Sequence, residues 1–309
     1  MTEPPIPIAI VGVGKIARDQ HLPTIAADPA FVLAGAVSGH AQDLGVPVFP
    51  TIPALMAALP QTRAVAICTP PLGRRALIAE AFAAGLHVLI EKPPAATLSE
   101  AESFVALAAA AKRAFYATWH AREAPAVAPA RAWRAGKRVR RTEIHWLEDV
   151  RVWHPGQQWI WSPGVGVFDP GINALSIATH ILPAPLTMRE SLLIVPSNKQ
   201  APIAAHLMLA DGEGAPIEAR FSAQQRGPQR WTIRVETDQG VLELLDGGNR
   251  LLIEGQSLPV PPLTEYGRIY RRFAELIAQR RIDADLAPFR LVADAFLLGR
   301  HQAALPFLN

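Results

Sequence analysis

Glycines at positions 12 and 14, with a small residue at 17, make a G-x-G-x-x-A pattern near the start of the chain. The apolar run Pro7-Ile8-Ala9-Ile10-Val11 precedes it, and a helical pattern opens after Gly14 and continues toward Ala27. A strand, a glycine turn and a helix in that order form the context in which this pattern cradles a dinucleotide. Gly12 permits the tight turn, Gly14 lets a pyrophosphate come close, and Ala17 lets the helix pack on the strand. The unpaired N–H groups at the helix opening, around Lys15 and Ile16, and the positive end of its dipole suit phosphate oxygens.

Two further groups carry charge where charge has a use. Glu91-Lys92-Pro93-Pro94 follows directly on the apolar run His87-Val88-Leu89-Ile90. A Lys–Pro bond in the cis form there would fix the turn and aim the Lys92 ammonium. Later, Gly164-Val165-Gly166-Val167-Phe168-Asp169-Pro170-Gly171-Ile172-Asn173 leads into a helical pattern. An Asp at a helix start most simply caps it. With Asn173 four residues on, the two side chains also share a helix face.

Five of the seven tryptophans fall between Trp133 and Trp161, interleaved with Glu148, Asp149, His154, Gln157 and Gln158. Aromatic faces cover the C–H surfaces of a sugar while polar groups meet its hydroxyls. Trp133 and Trp146 read as core. Trp153 and Trp161 flank a loop with little periodicity and are open to either role, as is Trp231 from a later strand. His120, just after the run Ala114 to Trp119, is expected at the same ligand edge as Lys92.

The elements that must position these groups alternate in the first part of the chain. Strands are predicted at Phe31–Val37, Ala64–Cys68, His87–Ile90 and Ala114–Trp119. Helices are predicted at Ala54–Leu59, Arg74–Ala84 and Ser99–Lys112, the last with Ser99 as N-cap and Glu102 completing a capping box. Such alternation predicts an α/β fold, a doubly wound parallel sheet with its ligand at the carboxyl ends of the strands. Those ends carry Ser38 and His40, Thr69 and Pro70, and Glu91 and Lys92. The second strand ends in Ser38-Gly39-His40 rather than in a carboxylate, which allows NADP and leaves NAD open.

From about residue 125 the texture changes. Ala124-Pro125-Ala126-Val127-Ala128-Pro129-Ala130 reads as the approach to a second domain. Strand candidates then follow one another with turns between them: 142–147, 186–195, 203–209, 216–223, 231–237 and 241–245. They predict an α+β domain with a mostly antiparallel, open-faced sheet. Helices are expected at Gly171–Leu182, Thr264–Arg280 and Phe289–Ala304. The domains expected are therefore 1–124 for nucleotide and 125–309 for substrate.

With 309 residues, 50% hydrophobic and 18% charged, the composition is that of a globular protein with a sizeable core. Met1 to Pro7 has no basic-then-apolar leader pattern, and no apolar run is long enough to span a bilayer. The single cysteine, Cys68, lies in an apolar run and fits a reducing cytoplasm. The net charge of +3 is small, and the cluster Arg131, Arg134, Lys137, Arg138, Arg140 and Arg141 has no nucleic-acid motif around it. His145, His180, His206 and His301 share no metal-ligand spacing, so no metal is expected. No G-x-S-x-G nucleophile is present.

Taken in order, Gly12-x-Gly14-x-x-Ala17, His21-Leu22-Pro23, Cys68-Thr69-Pro70 and Glu91-Lys92-Pro93 resemble the motifs of the Gfo/Idh/MocA family of sugar and polyol oxidoreductases. The segment from Gly164 to Asn173 is similar to that family's D-x-G-x-H block, with Asn173 where His is common. This departure resembles the branch of aldose 1-dehydrogenases acting on L-arabinose and D-galactose. The resemblance implies an enzyme that oxidises the anomeric carbon to the aldonolactone with NADP or NAD, NADP slightly preferred. It implies Lys92, Asp169 and Asn173 as catalytic residues, with Asp169 as base and Asn173 orienting the sugar. The implied cofactor set is Gly12, Gly14, Lys15, Ile16, Ser38, His40, Thr69, Pro70, Glu91 and Lys92. The implied substrate set is His120, Glu148, Trp153, Asp169, Asn173 and Trp231. It further implies a homo-oligomer formed through the C-terminal sheet, and a final helix, about 289–304, returning to the nucleotide domain. Other expected outcomes within the family are oxidation at another sugar carbon, of an inositol or of an imine. Outside enzymes, the alternative is a nucleotide-sensing regulator.

Overall fold

A computed structural model describes residues 4–40, 43–262 and 264–308. Met1–Glu3, part of the stretch read above for a leader, lie outside the described residues. The first strands and helices run β1 Ile6–Val11, α1 Leu22–Ala27, β2 Phe31–Val37, β3 Val48–Phe49, α2 Ile52–Ala58, β4 Ala64–Ile67, α3 Arg74–Ala83, β5 His87–Ile90, α4 Leu98–Ala111 and β6 Phe115–Ala117. A π-helical turn, Ala17–His21, leads into α1. Next come α5 Val127–Arg134, β7 Val139–Leu147, α6 Val150–Trp153, α7 Phe168–Ile181, β8 Thr187–Pro196, β9 Ala204–Ala210 and β10 Pro216–Ser222. The chain continues as β11 Arg230–Thr237, β12 Gly240–Leu245, β13 Arg250–Ile253 and β14 Gln256–Leu258, and finishes with α8 Glu265–Gln279, β15 Ile282–Asp283, α9 Ala287–Leu297 and β16 Gly299–Ala304.

The chain divides into two compact units, 1–120 with 264–286, and 121–263 with 287–309. In the first, seven strands pair in the order β15-β6-β5-β4-β1-β2-β3, and every pairing is parallel. Strands β1, β4 and β5 are almost wholly buried, which is why they read as continuous apolar runs. In the second unit, nine strands pair in the order β14-β13-β12-β11-β7-β10-β9-β8-β16. Only β10 with β7 and β16 with β8 are parallel there, so the sheet is mostly antiparallel, as the successive turn signals predicted.

The division corrects the expected boundaries. The helix that joins the nucleotide unit is α8, not the last one. Its buried face, Tyr266, Ile269, Tyr270, Phe273, Leu276 and Ile277, completes the core built on Ile8, Ile10, Ile25 and Phe31. Each such side chain contributes about 2 kcal/mol by burial. The last helix ends early, at Leu297, and Gly299 opens a strand that pairs with β8. The second unit opens at Ala121, a few residues before the prolines of 125–129. Pro129 stands in the first turn of α5, where a missing N–H is harmless. The cap of α4 is Thr97 rather than Ser99, accepting from the Glu100 N–H, while Glu100 accepts from the Ala96 N–H.

Candidate active site

At the carboxyl edge of the parallel sheet the glycine turn behaves as its sequence predicts. Gly12 has φ +87°, and a Cβ there would lie 2.9 Å from the Thr69 backbone nitrogen. The first turn and the Thr69-Pro70 loop are thus packed together, and only glycine fits between them. At Gly14, by contrast, an added Cβ would meet no protein atom within 4 Å. Beside this open space the Thr69 hydroxyl oxygen is buried and, among the described residues, has no hydrogen-bond partner. An orphaned hydroxyl next to an open glycine turn fits a dinucleotide whose phosphates and ribose supply the missing partners. Lys15 is exposed and paired with Asp19. Ser38 Oγ accepts from the His40 N–H at 3.2 Å, and both residues are accessible.

Glu91 is held by a network the sequence did not announce. His21 Nε2 lies 2.9 Å from Glu91 Oε1, and His21 Nδ1 lies 2.8 Å from the Tyr270 hydroxyl. Tyr266 donates its hydroxyl to the same Oε1 at 2.7 Å, while Glu91 Oε2 accepts the Lys92 N–H at 3.0 Å. Burial alone would raise the Glu91 carboxyl, but the bond and charge of His21 and the bond from Tyr266 bring it down to about 2. Burial likewise works against charge on His21, yet Cys68, Tyr270 and the Glu91 carboxylate together raise its pKa well above the ordinary histidine value. Each partner thus favours the charged form of the other, the carboxylate holding the proton on the imidazole and the imidazole keeping the carboxyl ionised.

Arg74 closes the same corner. Fully buried, it donates to the Thr69 carbonyl through Nε at 3.0 Å, to the Pro93 carbonyl at 2.6 Å, and to the Glu91 carbonyl. Burial lowers its pKa to about 10, which leaves the guanidinium charged. One side chain thus fixes both loops that carry Thr69 and Lys92. The Lys92–Pro93 peptide is cis. His120 completes this edge, its Nδ1 2.7 Å from Glu265 Oε2 and its ring stacked on Tyr266 at 6.1 Å.

In the second unit the chemistry gathers at the start of α7. Gly166 has φ +62°, and a Cβ there would lie 2.3 Å from the Pro202 carbonyl oxygen. That turn lets the helix begin at Phe168, with Pro170 in its first turn, three residues before the predicted start. Asp169 is not the cap. The N-cap position, Val167, has no side-chain bond, and Asp169 Oδ2 instead lies 3.5 Å from His154 Nε2. The His154 Nδ1 is 3.3 Å from Gln157 Oε1, which also accepts from Trp159 Nε1 at 2.9 Å. Asn173 sits one turn along the same helix, part-buried.

Next to this row stands an aromatic shelf. Trp231 lies between Trp146, 5.8 Å away and stacked, and Trp153, 4.9 Å away and tilted. The buried Glu148 accepts from Trp231 Nε1 at 3.0 Å. Trp153 is 44% exposed, so one face of the shelf is open. Trp161 is not part of it, being buried against Phe307 at 4.9 Å. Among the described residues no group of three or more His, Cys, Asp or Glu is placed to hold a metal ion, and no helix is long and apolar enough to cross a membrane.

Within the nucleotide unit, the structure brings Gly12 to Thr69, and Glu91 and His120 to α8. Within the other unit it brings Asp169 and Asn173 onto one helix face, and Glu148, Trp153 and Trp231 into one cluster. His154, Arg74, Tyr266 and Tyr270 are the residues that sequence reasoning left out of the site. His154 stood in the interleaved polar row. The tyrosines lie on the apolar stripe of α8, where their spacing reads as core.

Comparison with known proteins matches residues 6–118 to the model of the Gfo/Idh/MocA oxidoreductase family, NAD-binding Rossmann fold. Galactose 1-dehydrogenase of Pseudomonas fluorescens is 45% identical over 305 residues, 99% of either chain. The crystal structure of D-galactose-1-dehydrogenase from Rhizobium etli superposes with a TM-score of 0.95 at 46% identity, covering 100% of this chain and 99% of that one. KijD10, a 3-ketoreductase from Actinomadura kijaniata solved with NADP, shares the fold at a TM-score of 0.83 and 18% identity, covering 97% and 99%. This chain belongs to the Gfo/Idh/MocA oxidoreductase family.

Proposed function

We propose that the chain is an NAD(P)-dependent aldose 1-dehydrogenase, oxidising the anomeric carbon of D-galactose and L-arabinose to the aldonolactone. The observation that carries this reading is the likeness to galactose 1-dehydrogenase over the whole chain. The Asp169–His154 pair and the open tryptophan shelf support it as the acid–base group and the sugar platform.

Held by the glycine turn at Gly12 and Gly14 and by Thr69, a nicotinamide cofactor would supply the acceptor for the C1 hydride. Asp169 takes the proton of the C1 hydroxyl as the carbonyl forms. His154 steadies the carboxylate through its 3.5 Å contact and is itself oriented by Gln157. Asn173, an amide, cannot exchange that proton and serves to hold a sugar hydroxyl. The Lys92 ammonium stabilises negative charge on the reacting oxygen. Glu91, His21 and Tyr266 keep the Lys92 loop in one position. Trp153 and Trp231 cover a C–H face of the ring, and Glu148 and His120 accept its hydroxyls.

NADP is proposed ahead of NAD, because Ser38 and His40 offer donors and no carboxylate to a 2′-phosphate. The outer face of the nine-stranded sheet is proposed to join copies of the chain, supported by the exposure of Met208 on it. Light scattering of the eluting protein reads that state directly.

A panel of pentoses and hexoses with both cofactors, followed by nicotinamide absorbance, tests the assignment. D-Galactose and L-arabinose should lead the panel, with the lactone as product. Turnover of an inositol or an imine with no aldose activity would overturn it.

A further inference from the structure

A second cavity opens at the other edge of the parallel sheet, where the strands begin. Its volume is about 430 Å³, and Arg63, Arg113, Arg280, His87 and Thr62 line it. Thr62 and Arg63 stand just before β4, Arg113 just before β6 and Arg280 just before β15, while His87 opens β5, so four neighbouring strands contribute. No carboxylate lines the cavity. Among the described residues, none of the three guanidiniums makes an ion pair, and the Arg113 Nε is buried without any partner.

Arginines at this edge have one ordinary reason to be there. Helices α3, α4 and α8 end here, and each carboxyl end carries about half a negative charge. Three helix ends therefore offset about half of the three arginine charges, and a net positive field remains. Its effect is visible on His87, whose pKa falls to about 4 through burial and the fields of Arg113, Arg63 and Arg280. His87 Nδ1 accepts the Ala114 N–H at 2.9 Å, which leaves the ring proton on Nε2 as a donor.

We propose that this cavity is an anion site for a phosphate group, distinct from the cofactor edge of the same sheet. Guanidiniums bind phosphate through paired N–H donors, and the orphaned Arg113 Nε is one such donor. The cavity is larger than a bare phosphate needs, so a phosphate monoester of a small molecule fits it as well as the free ion does.

Calorimetric titration of the whole protein, saturated with cofactor so that phosphate-binding groups at the opposite edge are already occupied, tests this. Inorganic phosphate and a hexose phosphate are the two probes. One site per chain is expected, with Kd rising at least tenfold in both Arg113→Gln and Arg63→Gln. Arg63 is exposed, so its variant keeps the fold even where Arg113→Gln fails to. Equal affinity for both probes assigns the site to free phosphate, and tighter binding of the ester assigns it to a phosphomonoester. In parallel, imidazole NMR should show the His87 titration moving upward when the probe is bound. No binding by either probe, or binding that both variants leave unchanged, would overturn the proposal.

Discussion

Two carboxylates in this protein stand in opposite circumstances. Glu91 is buried and bonded on both oxygens to groups drawn from the loop after β5, from α8 and from the π-helical turn, His21 among them. Asp169 is partly accessible, with one ring nitrogen 3.5 Å away. The first arrangement holds a carboxylate that must never change state, because losing its charge would release the loop bearing Lys92. The second leaves part of the carboxylate surface open, as the proposed exchange of a proton with a substrate requires. Comparing the two sets a carboxylate sealed into the core beside one that part of the surface leaves open to a substrate.

That contrast can be broken at either end. Removing one partner of a buried ion pair costs about 3–5 kcal/mol, so Glu91→Ala should lower Tm by about 10 °C or more. A calorimetric scan reads this, and an unchanged Tm would show the network to be unimportant. Asp169→Asn should do the reverse. Its kcat should fall about a hundredfold or more, while Tm and cofactor affinity stay near the parent values.

The same contrast has a pH signature. The folded Glu91 pKa of about 2 lies below its ordinary 4.5, so its stabilisation is present above pH 4.5 and is lost as pH falls toward 2. The raised His21 pKa works the other way, contributing fully below 6.5 and fading as pH climbs through the folded value. Tm should therefore peak between those limits, and Glu91→Gln should flatten the acid side of the curve. An acid limb of equal slope in that variant would assign acid sensitivity to other carboxylates. His154→Gln, which withdraws only support from Asp169, should lower kcat about tenfold with little change in Tm. Smallest of all, Trp153→Ala should raise the sugar KM a few-fold, worth about 1 kcal/mol of contact, and leave kcat nearly unchanged. A fall in kcat without a rise in KM would remove Trp153 from the sugar platform.

Much of the nucleotide unit was legible because its signals are local. Gly12, Gly14 and Ala17 lie within six positions, and alternation of strand and helix follows from runs a few residues long. The Glu91 network was not legible for the opposite reason. Tyr266 is 175 residues from Glu91 and His21 is 70 away, and no period in the sequence joins them. Helix α8 itself was read nearly to its ends, yet its unit was missed, since its amphipathic stripe shows that it packs without showing against what. Pro170 sits in the first turn of α7, where it is tolerated, so that helix starts three residues before the predicted Gly171. Asp169 was found on its helix and His154 in the polar row among the tryptophans, but their pairing was not, because that loop carries no spacing rule.

The central claim is that the hydride leaves the anomeric carbon. D-Galactose deuterated at C1 alone, incubated with the enzyme and oxidised cofactor, tests it by mass spectrometry of the reduced cofactor and the product. The account predicts one deuterium in the reduced nicotinamide and an aldonolactone free of label. Reduced cofactor without deuterium, or a product still labelled at C1, would contradict it.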